Sequence, residues 1–256
     1  MLWGSFGIVH FFTLIISVVI IIGLYFLLKD CSEKVKTLVL GVSSFSGIAA
    51  IVFNLIAWGS PIEYLPLHLC SLNALILPIA VFTKNKVLSN LLLLWALGAL
   101  LALVINTAQA DFKIFSWTFV MYYFPHTLEL GIPILLFLLK IVKLDVNCIL
   151  WTLVITVASY TAIHFINLAV NTYCIKNNIV DYVGNIIQVN YMYSMRPENP
   201  VLQLFYNLIP CPYWYMFLSI PIIVLYLGCI YMKDVIQLVK RIKKKVLTDS
   251  HNFTNN

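Results

Sequence analysis

Residues 8–28 read IVHFFTLIISVVIIIGLYFLL, a run without a single Asp, Glu, Lys or Arg. An α-helix needs about 20 consecutive apolar residues to cross a bilayer, so this stretch alone is long enough to span a membrane. Further apolar segments follow, and the full set lies at roughly 8–28, 37–58, 66–83, 87–106, 118–139, 147–171 and 213–232. The sequence therefore predicts an all-α fold, a polytopic bundle of seven transmembrane helices.

The composition of the whole chain agrees with a membrane protein. Its 256 residues are 62% hydrophobic and 10% charged, whereas a soluble domain is roughly 25% charged. A soluble fold of this size could not hide that much apolar surface, which excludes a soluble enzyme, a nucleic-acid-binding domain and a disordered chain. We expect residues 1–232 to form a single transmembrane domain and residues 233–256 to form a short basic cytoplasmic tail.

The distribution of basic residues predicts the orientation of the helices. With seven spans, all of the 16 Lys and Arg residues except Lys113, Lys176 and Arg196 fall on the same side. Short loops rich in Lys and Arg remain in the cytoplasm, so we expect the N-terminus outside and the C-terminus in the cytoplasm. The expected location is the cell membrane, and the abundance of Asn, Ile and Lys favours a bacterial plasma membrane.

Polar side chains collect at the predicted outer ends of the helices. His10, His68, His126 and His164 all fall in the outer half of the membrane, where ionisable groups usually mark a polar cavity or a function. Other polar residues at this level are Glu63, Cys70, Asn106, Glu129, Asn167, Asn171, Asn190, Tyr191, Tyr193, Arg196 and Glu198. A single membrane histidine more often only links two helices, but the shared depth of these residues predicts a pocket open to the outer leaflet.

The cysteines allow more than one interpretation. A lone cysteine in a membrane helix is usually a small apolar side chain, and residue type alone does not single out Cys70. Cys174 and Cys211 share the predicted outer loop 172–212, and the sequence leaves open whether they form a disulfide. The sequence contains no CxxC or CxxH pair, so we expect no structural zinc site and no other bound metal.

Three stretches are similar to a known family. They are EYLPLHLCSLNALILPIAVFTKN at residues 63–85, FPHTLEL around His126, and NYMYSMRPENPVLQLFYNLIPCPYWY at residues 190–215. These stretches resemble the YwaF-like bacterial integral membrane proteins, whose eukaryotic relative is transmembrane protein 164. The most specific part is LPLHLC followed much later by a membrane histidine, whereas PCPYWY matches the family pattern loosely.

The resemblance implies a lipid acyltransferase that uses a cysteine and a histidine. It assigns Cys70 as the nucleophile and His126 as its base, and it includes His68, Asn190 and Tyr191 as motif members without a fixed role. An acyl group would pass from a phospholipid donor to a lysolipid or lipoprotein acceptor through an acyl-cysteine. The substrate lipid carries the acyl group, so the resemblance implies no cofactor, and membrane lipids are the expected partners.

Several residues at the outer level are candidates for supporting or substrate-binding roles. Glu129 lies three residues after His126 and therefore shares its helix face, so Glu129 or Asn106 could orient the imidazole. An oxyanion needs donors aimed at the developing charge, and a guanidinium suits a lipid phosphate. The candidates by type and level are Asn106, Asn190 and Tyr191 for the oxyanion, Arg196 for a head group, and His164 as a further polar group.

Three other functions stay open at this point. The same cysteine and histidine could pass the acyl group to water, which is the reaction of a lipid hydrolase or thioesterase. A lipid transporter or scramblase is less favoured, because the sequence shows no internal repeat and no polar residues continue into the cytoplasmic half. A receptor that binds a ligand without chemistry is the third. The sequence does not reveal the donor, the acceptor, the acyl-chain preference or the oligomeric state.

Overall fold

The computed structural model describes residues 2–4, 6–105, 111–181 and 183–254. These residues form α-helices and short 3-10 turns, and none of them belongs to a strand of a sheet. The helices are α1 (Ile8–Leu28), α2 (Glu33–Ala57), α3 (Leu69–Thr83), α4 (Lys86–Val104), α5 (Trp117–Leu138), α6 (Ile149–Lys176), α7 (Pro200–Leu208) and α8 (Ile220–Thr254). The all-α class predicted from the sequence is confirmed.

The lengths of the helices separate one apolar segment from the rest. Within the described residues, α1, α2, α4, α5 and the stretches Val146–Lys176 and Trp214–Gln237 are long and apolar enough to cross a membrane. Helix α3 has only 15 residues, which is about 22 Å of helix against a hydrocarbon core of about 30 Å. Residues 58–68, which precede it, are not helical. The described chain therefore has six full-length candidate spans and one shorter apolar helix.

Side-chain caps determine where several helices begin. Ser32, Asn85, Ser116 and Asn199 each accept a hydrogen bond from a backbone N–H in the first turn of α2, α4, α5 and α7, respectively. Such caps satisfy N–H groups that lack a partner inside the helix. Helix α3 is different, because His68 occupies the cap position without making a side-chain cap hydrogen bond.

Small residues on one face of α2 allow it to pack closely on its neighbours. A Cβ atom added at Gly47 would lie 2.5 Å from Cβ of Ala74 on α3, and one added at Gly41 would lie 2.3 Å from Cζ of Phe82. The buried residues of this face recur about every three positions: Leu40, Gly41, Ser44, Gly47 and Ala50. Small interfacial residues bring membrane helices close together, and α2 packs on both α3 and α5.

The core of the bundle lies around α3, α4 and α5. Helix α4 packs on α3, α5 and α6, whereas α1 packs mainly on α5. More than half of the spans in α4 and α5 are buried, 56% and 61%, compared with 17% in α1 and 11% in α6. A polar group on α3 or α5 is therefore enclosed by protein on several sides, which suits a chemical site.

The segment predicted as one long outer loop, 172–212, contains regular structure. Helix α6 continues to Lys176, and α7 occupies Pro200–Leu208. Pro200 at the first helical position and the cap at Asn199 explain why a helix of only nine residues begins there. At the other end of the chain, residues 233–254 continue the backbone of α8.

Candidate functional site

A cavity lies between α2, α3 and α5, at the start of α3. It contains about 340 Å³ of space that atoms do not fill, part of which is open to the outside. Its polar lining residues are Asn54, Cys70, Ser71, Tyr122, His126 and Glu129. The structure thus brings together Cys70, His126 and Glu129, which the sequence could place only at a common depth.

The hydrogen bond to His126 defines which ring nitrogen carries the proton. Nδ1 of His126 lies 2.6 Å from the carbonyl oxygen of Tyr122. A carbonyl oxygen can only accept, so Nδ1 donates and Nε2 of the neutral ring retains a lone pair. The hydroxyl of Tyr122 donates in turn to the carbonyl oxygen of Ala102 at 2.9 Å. The Tyr122 carbonyl thus orients the His126 ring. Of the two residues predicted to do so, Glu129 lines the same cavity, and Asn106 lies outside the described residues.

Cys70 occupies the first turn of α3. The N–H groups of a first helical turn have no acceptor within the helix, and His68 supplies none from its side chain. Ser71, the next residue in this turn, lines the same cavity as Cys70. Negative charge is stabilised near a helix N-terminus, so the first turn of α3 is a suitable place for charge that develops during a reaction.

Glu129 places a carboxyl group in the same cavity. Its side chain is 3% exposed, and its Oε2 atom is buried without a hydrogen-bond partner. None of the ion pairs in the described part of the chain involves Glu129. A Cβ atom added at Gly47 would lie 3.0 Å from Glu129 Oε1, so the glycine leaves room for this carboxyl group.

Sequence reasoning missed three polar residues of the cavity. Asn54 is the only amide side chain in the apolar stretch 37–58, and that isolation is a signal that could have found it. Tyr122 lies four residues before His126 and so shares its face of α5, while Ser71 directly follows Cys70. Each of these residues becomes a candidate only once its neighbour is already suspected.

A second polar region holds the outer segment against α6. We call it the loop clamp; it consists of Asn167 and Asn171 of α6 and residues 189–196. Asn167 Nδ2 donates to the carbonyl of Tyr191 at 2.8 Å and to Oγ of Ser194 at 2.9 Å, and its Oδ1 accepts from the Tyr191 N–H at 3.0 Å. Asn171 forms a matching pair of hydrogen bonds with the backbone of Val189.

Asn190 belongs to the loop clamp and not to the cavity. Its Oδ1 accepts from the N–H groups of Met195 and Arg196, and its Nδ2 donates to the Arg196 carbonyl and to Glu198 Oε1. Arg196 is exposed, with Nε 3.7 Å from Glu198 Oε1. The polar atoms of Asn190 are thus engaged within the segment, which does not support the predicted role of Asn190 as an oxyanion donor.

His68 packs against two tyrosines of the loop clamp. The ring of His68 lies 5.6 Å from the ring of Tyr191 and 5.5 Å from the ring of Tyr193. The Tyr191 hydroxyl donates to the Ile62 carbonyl, and its N–H and carbonyl are engaged by the clamp, so Tyr191 is also occupied structurally. Burial, with the nearby sulfur of Cys70, raises the pKa of Tyr193, which therefore remains a protonated phenol.

The histidines predicted at one depth fall into separate environments. His10 is fully buried, with Nε2 2.7 Å from the Leu103 carbonyl and Nδ1 accepting from the Phe6 N–H. His164 lies 3.0 Å from Ser194 Oγ through its Nδ1 and joins the loop clamp. Both are explained by packing between elements, and among the histidines His126 alone lines the cavity.

A comparison with known families decides the relationship of the chain. The family model described as the TMEM164 family matches residues 5–231. The chain belongs to the TMEM164 family. The predicted resemblance to transmembrane protein 164 is thus confirmed, and the apolar helices agree with a multi-pass membrane protein. Among curated proteins and among solved structures, no significant match is found.

The cysteines of this TMEM164-family chain are free thiols. Cys174 is fully buried in a cluster with Ile187 and Val189, whereas Cys211 is exposed, so the disulfide left open by the sequence is not formed. Among the described residues, no group of three or more His, Cys, Asp or Glu side chains could hold a metal ion.

Proposed function

We propose that this chain is a lipid acyltransferase embedded in the membrane. It would move a fatty acyl group from a phospholipid to a lysolipid or lipoprotein acceptor through an acyl group on Cys70. The observation that carries the proposal is the shared cavity of Cys70 and His126, in which the Tyr122 carbonyl leaves His126 Nε2 available as a base. Membership of the TMEM164 family supports the same chemistry by resemblance.

The reaction uses the two residues in sequence. His126 Nε2 takes the proton of the Cys70 thiol, and the thiolate attacks the ester carbonyl of a phospholipid, so that a carbon–sulfur bond forms. The carbon–oxygen bond then breaks as the leaving oxygen takes up a proton, which leaves a thioester on Cys70 and releases a lysolipid. In the second half, the hydroxyl of an acceptor attacks the thioester and gives up its proton, the carbon–sulfur bond breaks, and the Cys70 sulfur regains its proton from His126.

Donors for the oxyanion come from the lining of the cavity. The N–H groups in the first turn of α3 lie beside Cys70, and the Asn54 amide faces the same space from α2. Donors arranged in advance toward the developing charge are usually a large part of such catalysis. These groups take the role that residue type had suggested for Asn190 and Tyr191.

The short length of α3 supports a location of the chemistry within the outer leaflet. We propose that residues 58–83 form the third of seven spans, with α3 beginning near His68 on the outer side and ending at the cytoplasmic side near Lys84. A helix of about 22 Å in a core of about 30 Å would leave Cys70 roughly 8 Å below the outer boundary, close to the ester level of a lipid. Part of the non-helical stretch before α3 is covered by protein, since Ser60 is buried and the Ile62 carbonyl accepts a hydrogen bond from Tyr191.

We further propose that the N-terminus faces outward and the C-terminus faces the cytoplasm of a bacterial cell. Lys84 pairs with Glu33, and Lys86 Nζ lies 3.9 Å from Asp145 Oδ2, so these charged ends lie at the same side of the bundle. That side carries most of the basic residues, which supports a cytoplasmic location.

The proposed activity is tested with purified full-length protein in nanodiscs. A phospholipid with a labelled acyl chain is incubated with an unlabelled lysolipid, and the label is followed by mass spectrometry. We expect transfer by the wild type and by Cys31→Ala, since Cys31 is half-buried like Cys70 but lies beyond the other end of the bundle, and no transfer by Cys70→Ala. Label released as free fatty acid would indicate a hydrolase, and immobile label in all three proteins would contradict the proposal.

The orientation is tested with single-cysteine variants in intact cells. Cys211 and Cys31 are both accessible but lie at opposite ends of the bundle. A membrane-impermeant thiol reagent should label the Cys211 variant in intact cells and the Cys31 variant only after permeabilisation. The reverse pattern would contradict the proposed orientation.

A further inference from the structure

We propose that Glu129 gives a proton to the departing lipid oxygen and takes one from the incoming hydroxyl. The site then uses two proton-transfer groups with separate roles. In this proposal, which rests on the proposed function, His126 serves the Cys70 sulfur and Glu129 serves the departing and the incoming oxygen. Glu129 would protonate the lysolipid as it leaves and take the proton of the acceptor hydroxyl as it attacks.

The placement of Glu129 is the first argument. It shares the cavity with Cys70 and His126, and one helical turn separates it from His126 on α5. A lipid carbonyl attacked by the Cys70 sulfur would therefore have the imidazole and the carboxyl group on the same wall of the cavity.

The hydrogen bonding of Glu129 is the second argument. The Tyr122 carbonyl already orients His126, so the carboxyl group is not required for that purpose. Its Oε2 is buried without a partner, and no ion pair to it occurs in the described chain. Burial without a compensating charge disfavours the carboxylate and favours the neutral acid, which has a proton to give.

The chemistry of the leaving group is the third argument. A thiolate is displaced from carbon more easily than an alkoxide, so the tetrahedral intermediate reverts unless the ester oxygen is protonated as its bond breaks. The Glu129 proton moves to that oxygen when the carbon–oxygen bond breaks, and the resulting carboxylate accepts the acceptor hydroxyl's proton in the second half. Protonated His126 returns its proton to the Cys70 sulfur when the thioester is broken, so both groups end as they began.

The packing of α2 against Glu129 supports a defined position for its carboxyl group. Gly47 brings the backbone of α2 next to Oε1, with only 3.0 Å between that oxygen and an added Cβ atom. Ala74 occupies the adjacent space, 2.5 Å from the same Cβ position. The carboxyl group is thus held beside α2, buried and at the wall of the cavity.

The test compares two acyl donors on the full-length protein in nanodiscs. One is a phospholipid, whose leaving oxygen needs a proton, and the other is a nitrophenyl ester of the same fatty acid, whose leaving group departs without one. The variants are Glu129→Gln, which keeps the shape of the side chain, and Glu33→Gln, a matched control at the far end of α2. The readout is the rate at which a thioester forms on Cys70, measured by intact-protein mass spectrometry.

We expect Glu129→Gln to lose about 100-fold or more in acylation by the phospholipid, as is typical of a lost general acid, and to keep acylation by the nitrophenyl ester. The retained reaction also shows that the variant is folded. Equal loss with both donors would overturn the proposal, because it would indicate a structural role, and retention with both would assign the oxygen proton to His126. A wild type that forms no Cys70 thioester with either donor would overturn the proposed function and, with it, the role of Glu129.

Discussion

The cavity between α2, α3 and α5 and the loop clamp on α6 both contain the polar residues that the sequence places near the outer surface. In the clamp, Asn167, Asn171 and Asn190 use their amide atoms in hydrogen bonds to the segment 189–196. In the cavity, His126 keeps one ring nitrogen available and Glu129 has a carboxyl oxygen without a partner.

The difference separates polar groups that hold the fold from those available to a substrate. A buried polar atom without a partner is costly, so proteins keep few of them. The amide groups of the loop clamp have partners, so this cost does not arise there, and their hydrogen bonds connect α6 with the outer segment. In the cavity, Glu129 has a buried oxygen without a partner, which is the pattern expected where a ligand or a reaction supplies the missing partner.

The largest expected effect comes from removing the proposed general base of the cavity, His126. His126→Ala should lower turnover about 10²- to 10⁴-fold, because the thiol then has no group to take its proton. His164→Ala removes a histidine of the clamp, whose contact with Ser194 is structural, and should leave the turnover of folded protein unchanged. The acyl-transfer rates of the two variants, normalised to folded protein, check this pair.

Substitutions in the loop clamp should lower the stability of the protein instead of its turnover. Asn167→Ala leaves the buried N–H and carbonyl of Tyr191 without their partners, which should lower the free energy of unfolding by about 2–3 kcal/mol. Asn177→Ala is the control, because its exposed amide makes one hydrogen bond to Tyr173. Denaturant titration in mixed micelles measures both, and equal stability of the two variants would contradict the assignment of the clamp.

A smaller effect is expected where α2 passes the cavity. Gly47→Ala adds a methyl group 2.5 Å from Ala74 Cβ, and overpacking of this kind costs about 1–3 kcal/mol. The same change should reduce acyl transfer, since the new group also approaches Glu129. Gly23→Ala in α1 meets no atom within 4 Å and should leave stability unchanged or higher. Thermal unfolding and turnover of both variants, measured side by side, test this prediction.

The smallest effect concerns the turn at Asp181, which precedes the clamp segment 189–196. Hydrogen bonds from the backbone of Asn185 and Val183 hold the pKa of Asp181 below its ordinary range. A depressed folded-state pKa adds stability above the unfolded value of about 3.9, and that stability is lost as the pH falls through the folded value. Asp181→Asn should therefore reduce the acid sensitivity of unfolding below about pH 4 while leaving turnover at neutral pH unchanged. Unfolding curves that stay identical at acid pH would contradict this contribution.

The contrast between the cavity and the loop clamp also explains how much of the fold can be predicted from the sequence. The apolar run 8–28 corresponds to α1, and the segment predicted at 118–139 lies within one residue of α5, because apolar length alone specifies such helices. The start of α3 was predicted at 66 instead of Leu69, since Leu65, Pro66 and Leu67 are as apolar as the helix that follows them. Hydropathy does not distinguish a helix from covered non-helical backbone.

The site was predictable in part for a similar reason. Cys70 and His126 came from the family resemblance, and depth brought Glu129 into consideration. Depth could not separate them from Asn190 and His164, because their partners Glu198 and Ser194 become visible only in three dimensions. Asn54 was missed because an isolated amide belongs to no motif. The position of α2 beside α5 depends on small residues, which hydropathy does not distinguish within an apolar run.

The most direct test of the account is the intact mass of the protein after brief incubation with a phospholipid donor. The account predicts an added acyl group on Cys70 in the wild type and in folded Asn167→Ala. It predicts no such group in Cys70→Ala and much slower formation in His126→Ala. An acyl group that forms equally well without Cys70, or one that depends on Asn167 as strongly as on His126, would contradict the division between the cavity and the loop clamp.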